Sequence, residues 1–428
     1  MKIKRTCSVF FIFLMFTFSG RAAAEETLTW KDCVLEAQKN HPDLVSSREK
    51  LSQSKASKNQ TQSAFLPQVS SAAAAKRTKT PRSSSSSSTS EISDSYSYSV
   101  SGQQLLFDGF KTYDDVEAAA KTVEASQYSF EVTSSNVKLR LRTAFIDLLK
   151  ADELLNITED IAKRRKQSRE LIQLRYNGGR EHKGSLLTAE ANLAQAEFEV
   201  GQAKRNRDLA ERRLSKELGR TKLVPIKINA DFNVSEKDPA KPDFESLSQT
   251  NPLLRELVVE KEAARWGVRS AVAAIFPQVY ATTSAGRTAS VWPPRGKEWS
   301  VGASFSMPLF EGGNLMAGIA KAAAAARQAE ADERSGRDGV IFTLEDNWTQ
   351  FQDALGQVDV KKKFLEAGQE REKIAEAQYS AGLVTFNDWI IIEDNLVTAE
   401  KSYLDAQTNA LLAEANWVQA RGDTLDGN

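Results

Sequence analysis

The chain has 428 residues, 57 Lys and Arg side chains, 57 Asp and Glu side chains and a formal net charge of +0 at pH 7. A balanced chain lacks the basic surplus of a nucleic acid binder, so we expect no nucleic acid partner. Two histidines and two cysteines leave too few ligands for a metal site or a Cys/His catalytic centre, so we expect no metal and no cofactor.

The acidic residues do not indicate an enzyme. They are dispersed along the predicted helices at surface spacing, and no nucleophile motif or phosphate-binding loop accompanies them. We therefore predict that the protein is not an enzyme.

The N-terminus has the pattern of a secretory signal. Lys2, Lys4 and Arg5 precede a short apolar run, and residues 22–24 are three alanines that suit a cleavage site. We expect residues 1–24 to be a signal peptide. The alternative, an N-terminal membrane anchor, would need an apolar run long enough for about 30 Å of hydrocarbon. No later stretch reaches that length, so any part of the chain within a membrane should consist of strands.

The rest of the chain is predicted to contain two similar halves. The motif Leu106-Phe107-Asp108-Gly109 returns as Leu309-Phe310-Glu311-Gly312, and further pairs of motifs precede and follow it in constant register. Constant register over long segments indicates a duplicated structural unit. The predicted segments are a first repeat over 25–218, an inter-repeat linker over 219–249, a second repeat over 250–420 and a C-terminal tail over 421–428.

In the first repeat, the sequence predicts two helices, two strands and a long helical hairpin. The first helix covers Thr29 to Asn40, and the second begins at Pro42, because proline suits the first helical turn. The strands are predicted at about 67–79 and 94–106, and the hairpin at 111–218. The second repeat is predicted to contain strands at about 277–288 and 298–308 and a hairpin at 313–420.

The predicted strands alternate between two faces. In the first repeat, Tyr96 and Tyr98 lie on one face, and Ser97 and Ser99 lie on the other. This alternation fits a half-buried sheet of a soluble protein, and it also fits a membrane strand with one side toward water. Periodicity alone does not separate the two settings.

The long helices need a continuous partner. Residues 111–176 and 314–379 contain no proline, and each segment would form a helix on the order of 100 Å long. Large and small apolar residues recur at heptad spacing in these helices and in the helices that return from them. This spacing predicts antiparallel coiled coils.

Two strands per repeat give four strands per chain. Even small closed barrels use about eight strands, and an open sheet would leave unpaired hydrogen-bonding groups in lipid. Three chains would supply twelve strands and enclose a water-filled lumen. We therefore expect a homotrimer.

The chain resembles the TolC family of outer-membrane efflux proteins along essentially the whole mature sequence. The strand-to-helix motifs carry the resemblance, with Phe107 and Gly109 in the first repeat and Phe310 and Gly312 in the second. Two helix-tip motifs add to it, Arg175-Tyr176-Asn177-Gly178-Gly179 and Gln378-Tyr379-Ser380-Ala381-Gly382-Leu383. The implied fold is mainly α with a β-barrel portion, in which a trimeric twelve-stranded outer-membrane barrel continues as a long periplasmic coiled-coil barrel.

The resemblance also implies a function. Family members are exit ducts for small molecules or proteins in tripartite efflux pumps and type I secretion systems. The implied partners are two further copies, a periplasmic adaptor, an inner-membrane transporter of RND or ABC type and outer-membrane lipid. The implied location is the outer membrane, with a large periplasmic portion. The alternative is a periplasmic coiled-coil structural or adaptor protein of an export complex, for which we would expect one hairpin and not two.

The family narrows its periplasmic entrance with aspartate rings near the start of the last long helix. The first ring position matches Asp388, and the second falls on Ile391, so the resemblance implies an acidic ring next to an apolar one. An aspartate also suits the N-terminal turn of a helix for local reasons, and the two roles are compatible.

Polar links between neighbouring tips stabilise the closed state of family members. The positions of the tyrosine, aspartate and arginine that form these links fall on Tyr379, Ser185 and Val384. The resemblance therefore implies a weaker or differently built link, with Arg180 or Glu181 as candidate partners. Helix packing is the alternative role of Tyr379.

The family docks its adaptor at the helix tips. The matching residues are Gly179, Arg180, Gly382, Leu383 and Val384. The glycines also suit a tight helix-to-helix turn, so both roles are open. Basic runs at 163–166 and 361–363 are expected on a solvated outer face, with contact to an adaptor or peptidoglycan as the alternative.

Overall fold

The computed structural model describes residues 26–82, 89–222, 224–229, 232 and 240–426. The predicted signal peptide at 1–24 and the serine run at 83–88 lie outside these residues. The helices are α1 (Trp30–Asn40), α2 (Pro42–Gln62), α3 (Lys111–Asn177), α4 (Lys183–Glu217), α5 (Phe244–Thr250), α6 (Pro252–Ala273), α7 (Asn314–Ser380) and α8 (Phe386–Ala420). The strands are β1 (Glu26–Leu28), β2 (Gln68–Arg82), β3 (Thr89–Phe107), β4 (Ile226–Ile228), β5 (Gln278–Ala289) and β6 (Gly296–Ser306).

The two helical hairpins have equal dimensions. Helices α3 and α7 contain 67 residues each, and α4 and α8 contain 35 each. Glycines inside α7 do not interrupt it. At Gly336 the glycine lets α6 approach, since a Cβ there would lie 2.2 Å from Cδ1 of Leu257. None of the described helices is both long and apolar enough to cross a membrane.

Most of the predicted heptad residues are buried between helices. Val137, Leu141 and Leu148 of α3 have an exposed fraction of 0%. The buried heptad positions of α4 are smaller and include Ala189 and Ala196. Large residues on one helix and small residues on the other allow close antiparallel packing, which stabilises helices of this length.

Four strands form one antiparallel sheet in the order β2-β3-β5-β6. One face carries the serines, and the other carries the aromatic and aliphatic side chains, such as Trp299 and Val301. These two residues are 76% and 74% exposed, so none of the residues that the structure describes covers this part of the apolar face. β2 and β3 extend further than predicted, to Arg82 and Thr89, because their pairing continues to these residues.

A second, small sheet brings the linker and the N-terminal segment together. Glu26–Leu28 pairs in parallel with Ile226–Ile228. Beside these strands, Leu28, Ile226 and Leu425 join the apolar core formed by α1, α3 and α4. This strand pair was not predicted from the sequence, because three-residue strands are too short to show periodicity. The two short strands and Leu425 therefore meet along the middle of α3.

Candidate functional site

Each joint between a strand and a long helix turns through the left-handed region of backbone conformation. Gly109 has φ 70° and Gly312 has φ 61°, which glycine adopts without steric cost. A Cβ on Gly109 would also lie 2.4 Å from Cβ of Phe276. The carboxylate of Asp108 then accepts a 2.8 Å hydrogen bond from the backbone N–H of Thr112 and stabilises the start of α3.

The phenylalanines of the joints remain at the surface. Phe107 is 41% exposed and Phe310 is 88% exposed. The ring of Phe107 meets that of Phe110 edge to face, with 6.1 Å between the centroids. Aromatic rings are therefore exposed at this end of the apolar sheet face.

The two helix tips, at the other end of the hairpins, share one backbone geometry. Gly179 has φ 70° and Gly382 has φ 79°. In the first tip the N–H of Arg180 donates to the carbonyl of Arg175 at 2.8 Å, and the equivalent bond in the second tip has the same length. This is the Schellman arrangement, which favours glycine. A Cβ would meet no atom within 4 Å at either glycine, so conformation and not space requires glycine.

The side chains beside the tip glycines differ in exposure. Arg180 is exposed, and Leu383 is 75% exposed. Val384 is half-buried against an apolar cluster that we call the tip core. The tip core consists of Ile172, Leu186, Ala189, Ala375, Tyr379, Phe386, Trp389 and Ile390.

Tyr379 connects the two hairpins. Its ring is 2% exposed and stacks on Trp389, with 4.7 Å between the ring centroids. Its hydroxyl donates a 2.9 Å hydrogen bond to Oε2 of Glu181. The other oxygen of that carboxylate accepts a 2.8 Å hydrogen bond from Oγ of Ser185. Tyr379 therefore packs in the tip core and also makes a polar link, while Ser185 contacts the same carboxylate.

The environment keeps Glu181 ionised. Burial would raise the pKa of this carboxyl, but hydrogen bonds from Ser185, from the Tyr379 hydroxyl and from the backbone N–H of His182 hold the pKa below its usual range. Burial and the contact with Glu181 raise the pKa of Tyr379 to about 12. The bond between the two side chains is therefore a charge-assisted hydrogen bond at neutral pH.

Arg175 adds a second connection at the same place. Its guanidinium donates to the carbonyl of Tyr379 at 3.0 Å and to that of Ser380 at 2.9 Å. It also lies 4.3 Å from the ring centroid of Tyr379. Carbonyls in the last turn of a helix lack intrahelical partners and favour a cation. No role was predicted for Arg175 from the sequence, although it is the first residue of the tip motif.

Asp388 and Ile391 lie on the exposed side of the first turns of α8. Ile391 is 58% exposed, and Asp388 is exposed as well. The carboxylate of Asp388 accepts a 2.7 Å hydrogen bond from the hydroxyl of Thr385, which caps the helix. Asp388 therefore contributes to the N-terminal cap of α8, and its carboxylate is also exposed to solvent.

A buried ion-pair group links α3 to α8 further from the tips. Arg165 is 6% exposed, and its guanidinium donates to Glu393 at 2.7 Å and also to Asp394. Burial raises the pKa of the Glu393 carboxyl, although the charge of Arg165 opposes this shift. Next to this group, Arg164 forms two hydrogen bonds with the carboxylate of Glu400, at 2.6 and 2.9 Å.

The prediction that the basic run at 163–166 lies on a solvated outer face was wrong for Arg164 and Arg165. Both side chains turn toward acidic residues of α8, more than two hundred residues away in sequence. The sequence of α3 alone does not show which of its surfaces another helix will cover.

No group of three or more His, Cys, Asp or Glu side chains in the described part of the chain could hold a metal ion. The structure thus consists of an antiparallel sheet with one exposed apolar face, helical hairpins on the order of 100 Å long and tips that polar side chains join. These are features of an outer-membrane channel.

The family comparison agrees with this class. The family model described as outer membrane efflux protein matches residues 34–220 and 244–423, and the chain belongs to this family. The protein is an outer-membrane efflux channel with a large periplasmic portion.

Known relatives support the same conclusion. The outer membrane efflux protein BepC of Brucella suis biovar 1 (strain 1330) is 22% identical over 412 residues, which cover 94% of this chain and 87% of BepC. The outer membrane protein TolC of Escherichia coli (strain K12) is 22% identical over 323 residues, which cover 71% of this chain and 64% of TolC. The predicted TolC-family membership is therefore confirmed.

Solved structures show a similar fold. The Campylobacter jejuni CmeC outer membrane channel has a TM-score of 0.83 at 18% sequence identity, and the match covers 92% of this chain and 86% of CmeC. The predicted mainly helical fold with a sheet portion is confirmed.

Proposed function

We propose that three copies of the chain form one channel, in which their sheets close a twelve-stranded barrel and their hairpins continue as a periplasmic tube. The main support is the sheet itself. Its outer strands, β2 and β6, have no neighbouring strand beyond them among the described residues. Unpaired backbone groups are costly in hydrocarbon, so both edges need partners. Identical copies can supply them if β2 of one copy lies beside β6 of the next.

The two faces of the sheet suit this arrangement. The face with Trp299 and Val301 is directed to lipid, and the serine face lines the lumen. On the serine face, Ser70 contacts Ser101 and Ser284 contacts Ser300, with 2.9 Å between the oxygens in both pairs. A lumen of hydroxyl groups allows water to fill the channel.

The helix tips form the proposed periplasmic entrance. Around the channel axis, Asp388 would supply a ring of carboxylates and Ile391 an apolar ring beside it. Three carboxylates at one level favour cations in the pore. The link between Tyr379 and Glu181, together with the contacts of Arg175, holds the α7–α8 hairpin against the α3–α4 hairpin and so keeps the entrance narrow.

The exposed surface of the tips is the proposed contact with a periplasmic adaptor. Gly179 and Gly382 shape the two turns, and Arg180 and Leu383 present a cationic and an apolar side chain to the outside. In this assembly an inner-membrane transporter of RND or ABC type supplies the energy, and the channel itself needs no cofactor. In this proposal the protein itself is a passive exit duct.

Disulfide cross-linking tests the trimer directly. Ala72→Cys in β2 is combined in one chain with a cysteine at each of positions 299–303 of β6 in turn. We expect disulfide-linked dimers and trimers in membranes, at one register of the two strands and without larger products. Cys33 does not interfere, because its side chain is fully buried and burial raises the pKa of its thiol to about 12.

The same experiment can also contradict the proposed trimer. A monomer that stays in water without detergent, with no cross-link at any position, would contradict the channel assembly. It would favour the alternative of a periplasmic structural or adaptor protein.

A further inference from the structure

We propose that Arg287 and Lys297, on the apolar face of the sheet, form a binding site for the phosphorylated headgroup of a lipid. This inference rests on the proposed function, which directs that face to the membrane. Neither residue belongs to the entrance or to the tips.

The strand register places the two cations side by side. Arg287 of β5 is directly opposite Lys297 of β6, so both side chains lie on the same face. Directly opposite residues have Cβ atoms about 5 Å apart, and like charges in this position destabilise the pair of strands. Both residues are exposed, and neither has an ion-pair partner among the residues that the structure describes. An anion between them would remove this repulsion.

A neighbouring ion pair shows that the chain neutralises another cation on the same face. Arg77 of β2 is directly opposite Asp94 of β3. Two hydrogen bonds join them, from Nε at 2.6 Å and from the terminal nitrogen at 2.7 Å. Among the described residues, a carboxylate thus neutralises the cation at this strand pair, and none does so at the pair of Arg287 and Lys297. We therefore expect another molecule to supply the anion that neutralises Arg287 and Lys297.

The position along the strand corresponds to the headgroup level. Val279, near the helix end of β5, is eight residues from Arg287, or roughly 27 Å along the strand. Strands in membrane barrels are tilted by about 40°, which reduces this span to about 20 Å, close to the thickness of an apolar band. Trp299 lies two residues from Lys297 on the same face and is 76% exposed, as is typical of a residue at the membrane interface.

The chemistry of the site selects a phosphate on a lipid. A guanidinium binds two oxygens of one phosphate, and an adjacent ammonium adds a compact positive charge. The surface next to the cations on the helix side is apolar and includes Ala285 and Val301, where acyl chains would lie. Because the helices extend into the periplasm, the site faces the outer leaflet. A free phosphate would use the cations but not the apolar surface.

Native mass spectrometry of the detergent-solubilised protein tests the site. The probes are dimyristoylphosphatidic acid, which carries a phosphate monoester, and dimyristoylphosphatidylcholine, whose headgroup has no net charge. We expect wild-type chains to retain phosphatidic acid in preference to phosphatidylcholine. The double variant R287Q/K297Q should retain about tenfold less phosphatidic acid, since it lacks both charged donors.

Single variants supply the matched control. K297Q and K76Q each remove one lysine charge from the strands, but Lys76 is directly opposite Ser95, on the serine face. K297Q should lower retention severalfold, K76Q should not, and K297R should keep most of the wild-type retention. If the double variant fails to assemble, these single variants still show whether Lys297 contributes to the retention of phosphatidic acid.

Three results would overturn the inference: no preference of the wild type for phosphatidic acid, equal retention by K297Q and K76Q, or complete displacement of the lipid by an equal concentration of inorganic phosphate. Retention is counted per chain, and the same spectra give the oligomeric mass. A trimer that binds no phosphatidic acid contradicts only this inference, whereas a wild type without trimers contradicts the proposed assembly.

Discussion

The hydroxyl of Tyr379 and the carboxylate of Glu181, 2.9 Å apart, join the last turn of α7 to the segment that precedes α4. Tyr379 belongs to the second repeat and Glu181 to the first, so this hydrogen bond, like those from Arg175, connects the two halves of the chain at the tip. Ser185, at the position where the resemblance to the TolC family implies an aspartate, donates to the same Glu181. The link is thus built from a different acidic residue, four positions earlier in the chain.

Removal of this hydrogen bond should widen the entrance. Tyr379→Phe keeps the stacking on Trp389 but loses a bond to a charged acceptor, which contributes about 1.5–3 kcal/mol. We expect a larger open fraction or a higher conductance in planar bilayers. Tyr176→Phe is the matched control, because Tyr176 is the equivalent residue of the first repeat and is 37% exposed. Equal behaviour of the two variants would show that the bond does not restrict the entrance.

We expect the same bond to make the proposed entrance sensitive to acid and to strong alkali. The pKa of Glu181 lies below its ordinary value of 4.5, so the stabilising contribution of the ionised carboxylate is present above pH 4.5 and is lost as the pH falls through the lowered pKa. The pKa of Tyr379 is raised from 10.0 to about 12, so the stabilising contribution of the protonated hydroxyl is present below pH 10 and is lost as the pH rises to about 12. Wild-type conductance should increase at both extremes.

Variants separate this effect from general unfolding. Tyr379→Phe should have a flat conductance profile over the same acidic range, and Glu181→Gln should lose the acidic transition. An acidic transition that persists unchanged in Glu181→Gln would assign it to another group.

Two variants distinguish the entrance role of Asp388 from its helix-terminal role. Asp388→Asn removes the charge but keeps an oxygen that accepts from Thr385, so we expect weaker block by multivalent cations with little loss of stability. Thr385→Ala keeps the charge but removes the cap, at a cost of about 0.5–2 kcal/mol. It should therefore lower thermal stability and leave the block unchanged. Block that is equal in Asp388→Asn and wild type would exclude Asp388 from the pore.

The buried ion pair should be far more important for stability than an exposed one. Arg165→Met leaves the carboxylate of Glu393 buried without its cation, which should cost about 3–5 kcal/mol. The control is Arg169→Met, since Arg169 and Glu190 form a pair whose side chains are 35% and 42% exposed and which contributes about 0–1 kcal/mol. Apparent melting temperatures of the two variants give the comparison. The double variant R165M/E393M should recover much of the loss, and a failure to recover would argue for a packing role of Arg165.

The tip turn and the proposed adaptor contact can be separated by two adjacent residues. Gly382→Ala places a side chain at φ 79°, which costs roughly 1 kcal/mol through backbone strain although space is available. Leu383→Ser changes a side chain that is 75% exposed, so stability should not change. We expect Leu383→Ser to reduce cross-linking to the adaptor. Undiminished cross-linking and export in Leu383→Ser would remove this side chain from the contact.

The sequence predicted much of the architecture because the relevant patterns are long. Proline-free heptads extend over whole helices, and the structure contains both 67-residue helices, one of them beginning at Lys111 and the other at Asn314. Strand alternation also extends over many residues. The pairing of β1 with β4 was not predictable in the same way, since it depends on two short segments that meet only through the tertiary fold.

At the helix tips, the sequence predicted the role of a residue only where that role depends on neighbouring residues in the chain. Gly179 and Gly382 follow from turn geometry, which the neighbouring sequence specifies. The roles of Arg165 and Arg175 depend on helices of the other repeat, and no pattern within α3 distinguishes these arginines from those exposed to solvent. The family resemblance identified the position of Tyr379, and the structure supplied Glu181 as its partner.

The equal lengths of the paired helices also constrain how this chain can change during evolution. Deletion of one heptad from α3 alone would shorten that helix by about 10 Å and carry Glu181 away from Tyr379. Insertions and deletions in the helices should therefore survive only when both halves acquire them together. Among the described connections, independent length changes belong between β5 and β6, where no long helix has to match them.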